Sequence, residues 1–119
     1  MVEWHDLYRH WMRVWRQADG AAILVAPVTD TIKQVSERQV VNTFDRRLLR
    51  RALTPQCFRY ELLREAYEHA DVNDPSLTDE SALIEQLGRP VSIVEGSARN
   101  IKITTVEDLA IAEAILAAD

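Results

Sequence analysis

Four arginines, Arg46, Arg47, Arg50 and Arg51, fall within six positions. Guanidinium groups bunched this way can gather an anion even on a chain that is acidic as a whole. The same bunching suits a solvated basic face, and spacing leaves both readings open. Lys102 is a second cationic candidate, set between Ile101 and Ile103 with Asn100 and Thr104 beside it. If residues 101 to 103 form a short strand, alternation turns Lys102 away from the two isoleucines, and the start of a helix just beyond adds a partial positive charge. Thr54 and Thr78 read from spacing as caps, Thr31 and Lys33 as solvated residues of an edge ribbon. Asp30 suits a turn that satisfies its own backbone as well as it suits a ligand contact. Glu95, before Gly96, reads as turn chemistry. His5, His10 and His69 lack metal-like spacing, so they read as surface or packing residues and no metal site is expected.

The chain has 119 residues and a net charge of −5, from 14 Lys plus Arg against 19 Asp plus Glu. That balance argues against a general polyanion binder, so nucleic acid is not an expected partner. Cys57 is the only cysteine, which excludes an internal disulfide and fits a reducing compartment; a buried, inert thiol is expected. No apolar run approaches the roughly 20 residues of a membrane span, and the first residues carry Trp, His, Asp and Arg where a signal peptide needs an apolar stretch. A single cytoplasmic domain, residues 1 to 119, is expected.

Trp4, Leu7, Trp11 and Val14 or Trp15 recur at helical spacing, so residues 6 to 18 read as an amphipathic helix stopped near Gly20. Residues 21 to 26 form a continuous apolar run closed by Pro27, as in a central parallel strand buried on both faces. From Val28 to Phe44 a rough alternation is broken at Ser36-Glu37-Arg38, which reads as a two-stranded ribbon with little apolar mass beneath it; a second subunit is the usual cover. A helix over residues 59 to 70 carries Leu62, Leu63, Ala66 and Tyr67 on one face. Thr78 is expected to cap a short helix closed by Gly88, and Val91 to Val94 is the next strand. Ile101 to Ile103 reads as a further short strand, and Thr104-Thr105-Val106-Glu107 as a capping box opening a last helix to about Ala117. Strands alternating with helices imply an α/β layered sheet.

Three segments resemble, in order, the methylerythritol-phosphate cytidylyltransferases of non-mevalonate isoprenoid biosynthesis. They are Ala26-Pro27-Val28-Thr29-Asp30-Thr31-Ile32-Lys33 with Thr43-Phe44-Asp45-Arg46; Ala52-Leu53-Thr54-Pro55-Gln56; and Val94-Glu95-Gly96 with Asn100-Ile101-Lys102-Ile103-Thr104 and Glu107-Asp108-Leu109-Ala110. The resemblance spans about Gly20 to Leu116 and covers the C-terminal half of the family's usual length. It implies a partial Rossmann-like nucleotidyltransferase sheet flanked by helices, with residues 27 to 46 as a protruding β-arm that interlocks a homodimer and places Asp30, Lys33 and Arg46 on the arm. It implies transfer of a cytidylyl group from CTP to the sugar phosphate 2-C-methyl-D-erythritol 4-phosphate, with magnesium and release of pyrophosphate. Substrate-binding roles follow for Thr31, Arg46, Thr54, Thr78 and Lys102, with Arg46 and Lys102 as the catalytic cations. Such chemistry needs anions brought together and charge stabilised on oxygens, which a planar arginine fork and threonine hydroxyls supply.

The family opens with a glycine-rich loop whose arginine and lysine hold the CTP triphosphate, whereas this sequence has three glycines and none in such a loop. His5-Asp6 matches the start of a family His-Asp-Ala-Ala-Arg-Pro segment, but Leu7-Tyr8-Arg9 follows, so no metal-binding role transfers. The main CTP-binding loop and the magnesium ligands are therefore expected on a separate N-terminal half. Two alternatives stay open: a ribitol-type polyol-phosphate cytidylyltransferase fragment, and a non-catalytic dimerisation or regulatory remnant.

Overall fold

The structure, a computed structural model, describes residues 4–17, 19–71 and 73–118. The side chains of residues 4 to 7 lie outside the described residues, and with them the expected placement of Trp4, His5 and Leu7. The elements run α1 (Trp4–Gln17), β1 (Ala21–Pro27), β2 (Lys33–Ser36), β3 (Gln39–Thr43), a 3-10 turn (Arg46–Leu48), β4 (Arg50–Phe58), α2 (Tyr60–His69), α3 (Glu80–Gln86), β5 (Ser92–Glu95) and α4 (Val106–Ala117). The fold is mixed α/β, with a three-stranded sheet in the order β4-β1-β5 and a two-stranded sheet of β2 and β3. β1 is the central strand, and Ala21 through Ala26 are all buried, as a run apolar on both faces requires. β4 has no counterpart in the sequence reading. Its arginines and Pro55 break every alternation, and proline is tolerated there because β4 lies at the sheet edge.

The chain forms two compact units. The first joins the residues up to Leu24 with Thr54–Val94. Its core is Ala21, Ala66, Leu83 and Ile84, with Phe58, Leu62 and Leu63 packed against them. Tyr67, expected on the inner face of α2, is instead about half exposed, at 52%. Cys57 is a half-buried free thiol rather than a fully buried one. At Gly20 the backbone is left-handed (φ +97°), which strains any L side chain, and an added Cβ would sit only 3.3 Å from side-chain atoms of Arg59 and Leu62.

The cap of α3 is Asp79, not Thr78. The helix begins at Glu80, and Asp79 accepts from the Ala82 N–H (3.0 Å), the Ser81 hydroxyl (2.8 Å) and the Gln56 amide (3.1 Å). The other end closes on Gly88 at φ +73°, with Gly88 N–H donating to Glu85 and Arg89 N–H to Ile84, a Schellman closure. Partial burial opposes ionisation of Asp79, but the bonds from Gln56, Ser81 and Ala82 outweigh it and hold the carboxyl below its ordinary value. A depressed folded-state value means the contribution is complete above the ordinary aspartate range, about pH 4, and is lost as pH falls through the folded value. Asp79→Ala is expected to lower stability by about 1 kcal/mol at neutral pH. Denaturant titration of both proteins at pH 7 and pH 3 checks this, and the gap should narrow at the lower pH.

The second unit joins Val25–Leu53 with the residues from Glu95 onward. β2 and β3 pair antiparallel, Lys33 opposite Thr43 and Ser36 opposite Gln39, with a bulge after Gln34 that leaves Val41 unpaired. The turn residues Glu37 (φ 49°) and Arg38 (φ 67°) are both left-handed, as a two-residue hairpin turn demands, although neither is a glycine or asparagine. Every residue of the two strands is exposed, including Val35, Val40 and Val41 at 60% or more.

Ile101 to Ile103 is not a strand. The chain there is irregular after a turn in which Asn100 N–H donates to Ser97, and Ile103 is 54% exposed. The expected alternation of Lys102 against two inward isoleucines therefore falls; three residues with no ladder partner do not make a strand. The capping box of α4 is real but sits one residue later: Thr105 is the cap and Asp108 its reciprocal partner.

Candidate functional site

Three of the four clustered arginines, Arg46, Arg47 and Arg50, have separate partners. Arg47 grips Asp45 through two nitrogens (2.7–3.2 Å), and Asp45 in turn caps the 3-10 turn by accepting the Arg47 N–H at 3.0 Å. That side-chain bond, with the backbone bond behind it, holds the Asp45 carboxyl below its usual range, and it raises Arg47. The pair is well exposed, so it contributes little stability. Arg50 Nε donates to Glu95 Oε1 at 2.9 Å while its Nη1 holds the carbonyls of Arg47 and Leu49. Glu95 is thus an ion-pair partner rather than a turn residue.

Arg46 is the exception. Its Nη1 donates to the Thr29 carbonyl at 2.8 Å, tying the 3-10 turn to the chain before the hairpin. A carbonyl carries no formal charge, so this bond orients the guanidinium without neutralising it. Asp45, adjacent in the chain, is committed to Arg47. Asp45 caps the 3-10 turn by bonding two residues ahead, to Arg47, rather than to its chain neighbour.

Lys33 donates to the Thr43 hydroxyl across the hairpin at 2.8 Å, so it is a cross-strand tie as well as an exposed residue of the hairpin. Thr31 and Asp30 lie in the exposed stretch between β1 and β2. Lys102 is exposed two residues before Thr104. The donors around it are already engaged: Thr104 gives both its N–H (3.0 Å) and its hydroxyl (2.9 Å) to Asp108, and Thr105 N–H does the same at 3.0 Å. Those bonds, led by the two from Thr104, hold the Asp108 carboxyl below its ordinary value. The N-terminus of α4 therefore already holds a protein anion, and Thr104 is not an unengaged phosphate donor. Thr54 and Thr78 belong to the first unit, Thr54 exposed in β4 before the cis bond to Pro55, and Thr78 exposed before the Asp79 cap.

Among the described residues no three His, Cys, Asp or Glu side chains come together as a protein cage for a cation requires. No helix among the described residues is long and apolar enough to cross a membrane.

Residues 3–118 match the family model described as IspD, 2-C-methyl-D-erythritol 4-phosphate cytidylyltransferase. Among curated proteins of that name, the chain is 51% identical over 100 residues to one from Syntrophotalea carbinolica and 53% identical over 98 residues to one from Geobacillus thermodenitrificans, covering 84% and 82% of this chain. The chain spans less than half the length of these relatives, 43% in each case. Among solved structures, the 4-diphosphocytidyl-2C-methyl-D-erythritol synthase of Anaerococcus prevotii superposes with a TM-score of 0.81 at 32% identity, over 94% of this chain and 50% of that one. The Francisella tularensis 2-C-methyl-D-erythritol 4-phosphate cytidylyltransferase gives 0.74 at 33% identity, over 90% and 52%.

Proposed function

The chain belongs to the 2-C-methyl-D-erythritol 4-phosphate cytidylyltransferase family, and from that premise we propose that it is the acceptor-substrate half of such an enzyme, working with a nucleotide-binding half that carries the glycine-rich CTP loop. The observation that carries this reading is the run of segments Pro-Val-x-Asp-Thr-x-Lys, Leu-Thr-Pro-Gln and Asn-Ile-Lys-x-Thr in that order, in a chain that covers less than half of each relative. In the reaction, an oxygen of the acceptor phosphate attacks the α-phosphorus of CTP as the bond to pyrophosphate breaks, and CMP passes to the acceptor.

Arg46 and Lys102 supply positive charge to the phosphates, and the hydroxyls of Thr31, Thr54 and Thr78 donate to acceptor oxygens. For Lys102 the support is the Asn-Ile-Lys-x-Thr motif. For Arg46 the motif is joined by geometry, because its guanidinium is oriented by a neutral carbonyl. A polyol phosphate of ribitol type is the competing acceptor. Supplying the nucleotide-binding half in trans tests the assignment: CTP-dependent pyrophosphate release with the methylerythritol phosphate, and weaker release with ribitol phosphate, is the expected result. No release with either acceptor, from a complex that forms, favours a non-catalytic remnant.

Residues 27 to 46 act in this reading as the arm of a cytoplasmic homodimer, through which Arg46 serves the partner's substrate. The fully exposed hairpin supports it, since an isolated two-stranded ribbon bearing Val35, Val40 and Val41 has no core of its own. Sedimentation is expected to show two chains per particle, and Val35→Asp with Val40→Asp to shift it to one with α-helical content unchanged. A wild-type monomer at micromolar concentration contradicts the arm.

A further inference from the structure

The segment from Asn100 to Ile103 carries Lys102 yet belongs to no strand or helix. Both of its ends are nonetheless fastened to one helix. After the segment, Thr104 gives its N–H and its hydroxyl to Asp108 in the first turn of α4, at 3.0 and 2.9 Å. Before it, Arg99 reaches the other end of that helix, where its Nη2 donates to the Ile115 carbonyl at 2.9 Å. Asp108 and Ile115 lie seven positions apart, roughly 10 Å of helix rise. The five positions from Arg99 to Thr104 can span up to about 17 Å when extended. The segment therefore runs back along α4, against the direction of the helix, with Ile101 half-buried on the way.

The end of α4 needs such a partner. Its last turn has no basic residue, and the final carbonyls of a helix carry partial negative charge. The Ile115 carbonyl takes the Ala118 N–H at 3.2 Å, and Arg99 supplies it with a charged second donor. A local turn aims the arginine: Ser97 Oγ accepts the Arg99 N–H and the Ser97 carbonyl accepts the Asn100 N–H, both at 3.1 Å.

We propose that Arg99 is a positioning residue for Lys102: by tying the turn before the lysine to the C-terminal end of α4, it holds the backbone that carries the ammonium group. The inference rests on the reading of Lys102 as a phosphate-binding cation and deepens it. A lysine loses rotamer entropy when its ammonium is fixed on an anion, and a backbone that must be ordered at the same moment adds to the cost. With Asp108 holding one end of the segment and Arg99 the other, only the side chain is left to order on binding. Arg99 itself touches no phosphate in this scheme.

The test joins backbone relaxation of the isotope-labelled chain to a double-mutant cycle on its affinity for 2-C-methyl-D-erythritol 4-phosphate. Arg99→Ala should lower the order parameters of residues 100 to 103 from the rigid range, about 0.85, to below about 0.6. Those of β1 and α2 should stay as they are, and the thermal midpoint should barely move, because Arg99 is exposed. Arg99→Lys keeps a cation able to reach a helix-end carbonyl and should restore most of the order. Arg99→Ala is expected to weaken acceptor-phosphate binding roughly tenfold in the wild-type background and not at all when Lys102 is already alanine, since residues acting through one contact are not additive. Unchanged order parameters in Arg99→Ala overturn the proposal. An equal loss of affinity with and without Lys102 does so too, because Arg99 then acts independently of the lysine. If residues 100 to 103 loosen as expected but Lys102→Ala and wild type bind the acceptor phosphate alike, the tether stands and the acceptor role of Lys102 falls.

Discussion

Purified by itself and given CTP, magnesium and the acceptor phosphate, the 119-residue chain is expected to release no measurable pyrophosphate. Phosphoryl transfer depends on holding anionic reactants in line and on donors fixed where charge builds, and positioning alone is worth roughly 10⁵-fold or more in well-ordered systems. The donors that hold a triphosphate in this family come from a glycine-rich loop, whose backbone N–H groups converge because glycine permits close approach and left-handed turns. The three glycines here are Gly20, Gly88 and Gly96. Gly20 closes against Arg59 and Leu62, Gly88 ends α3, and Gly96 N–H donates to the Val25 carbonyl at 2.7 Å. Scattered arginines cannot replace that cradle, and two of the four clustered ones are held by Asp45 and Glu95. Steady turnover by the isolated chain, scaling with its concentration and surviving repurification, would refute the division of labour proposed above.

In the assembled enzyme, Arg46→Ala and Lys102→Ala are each expected to lower kcat/KM by about a hundredfold, the usual cost of removing one charged donor from a transition state. Stability should hold within about 0.5 kcal/mol, because both side chains are exposed. Arg46→Lys should recover only part of the loss, since an ammonium cannot form the planar two-point grip. The two positions differ in what a failure means. If Lys102→Ala leaves kcat/KM intact, the motif transfer is wrong at that residue, and the engagement of Thr104 and Thr105 by Asp108 already removes the local donors that would have supported it. If Arg46→Ala destabilises the fold by several kcal/mol while kinetics hold, its bond to Thr29 is its whole role.

Where the sequence was readable, a periodic signal was strong. Ala21 through Ala26 is an unbroken apolar run and becomes the buried central strand; Val28 to Phe44 alternates around Ser36-Glu37-Arg38 and becomes the hairpin. The Gly88 stop and the α4 capping region were legible because glycine and cap residues act through local backbone geometry. The errors lie where tertiary context decides. β4 hides behind arginines and Pro55, since an edge strand needs neither alternation nor every N–H. Ile101 to Ile103 has strand-like composition but no partner to pair with. Thr78 lost the cap to Asp79 because the helix begins one residue later, at Glu80, where the Asp79 carboxylate takes the Ala82 N–H and also meets Gln56, distant in sequence. For the same reason the true partners of Arg46 and Arg50 could not be read from adjacency: one is a backbone carbonyl 17 residues away and the other a carboxylate 45 residues away.

The central claim is that this chain binds the acceptor and not the nucleotide. Amide chemical shifts of the isotope-labelled chain, followed during titration with 2-C-methyl-D-erythritol 4-phosphate and separately with CTP, test it most directly. Saturable shifts with the acceptor phosphate that include Thr31, Arg46 and Lys102, and no saturable shifts with CTP over the same range, are the predicted result. Saturable shifts with CTP, or none with the acceptor phosphate at millimolar concentration, would contradict it.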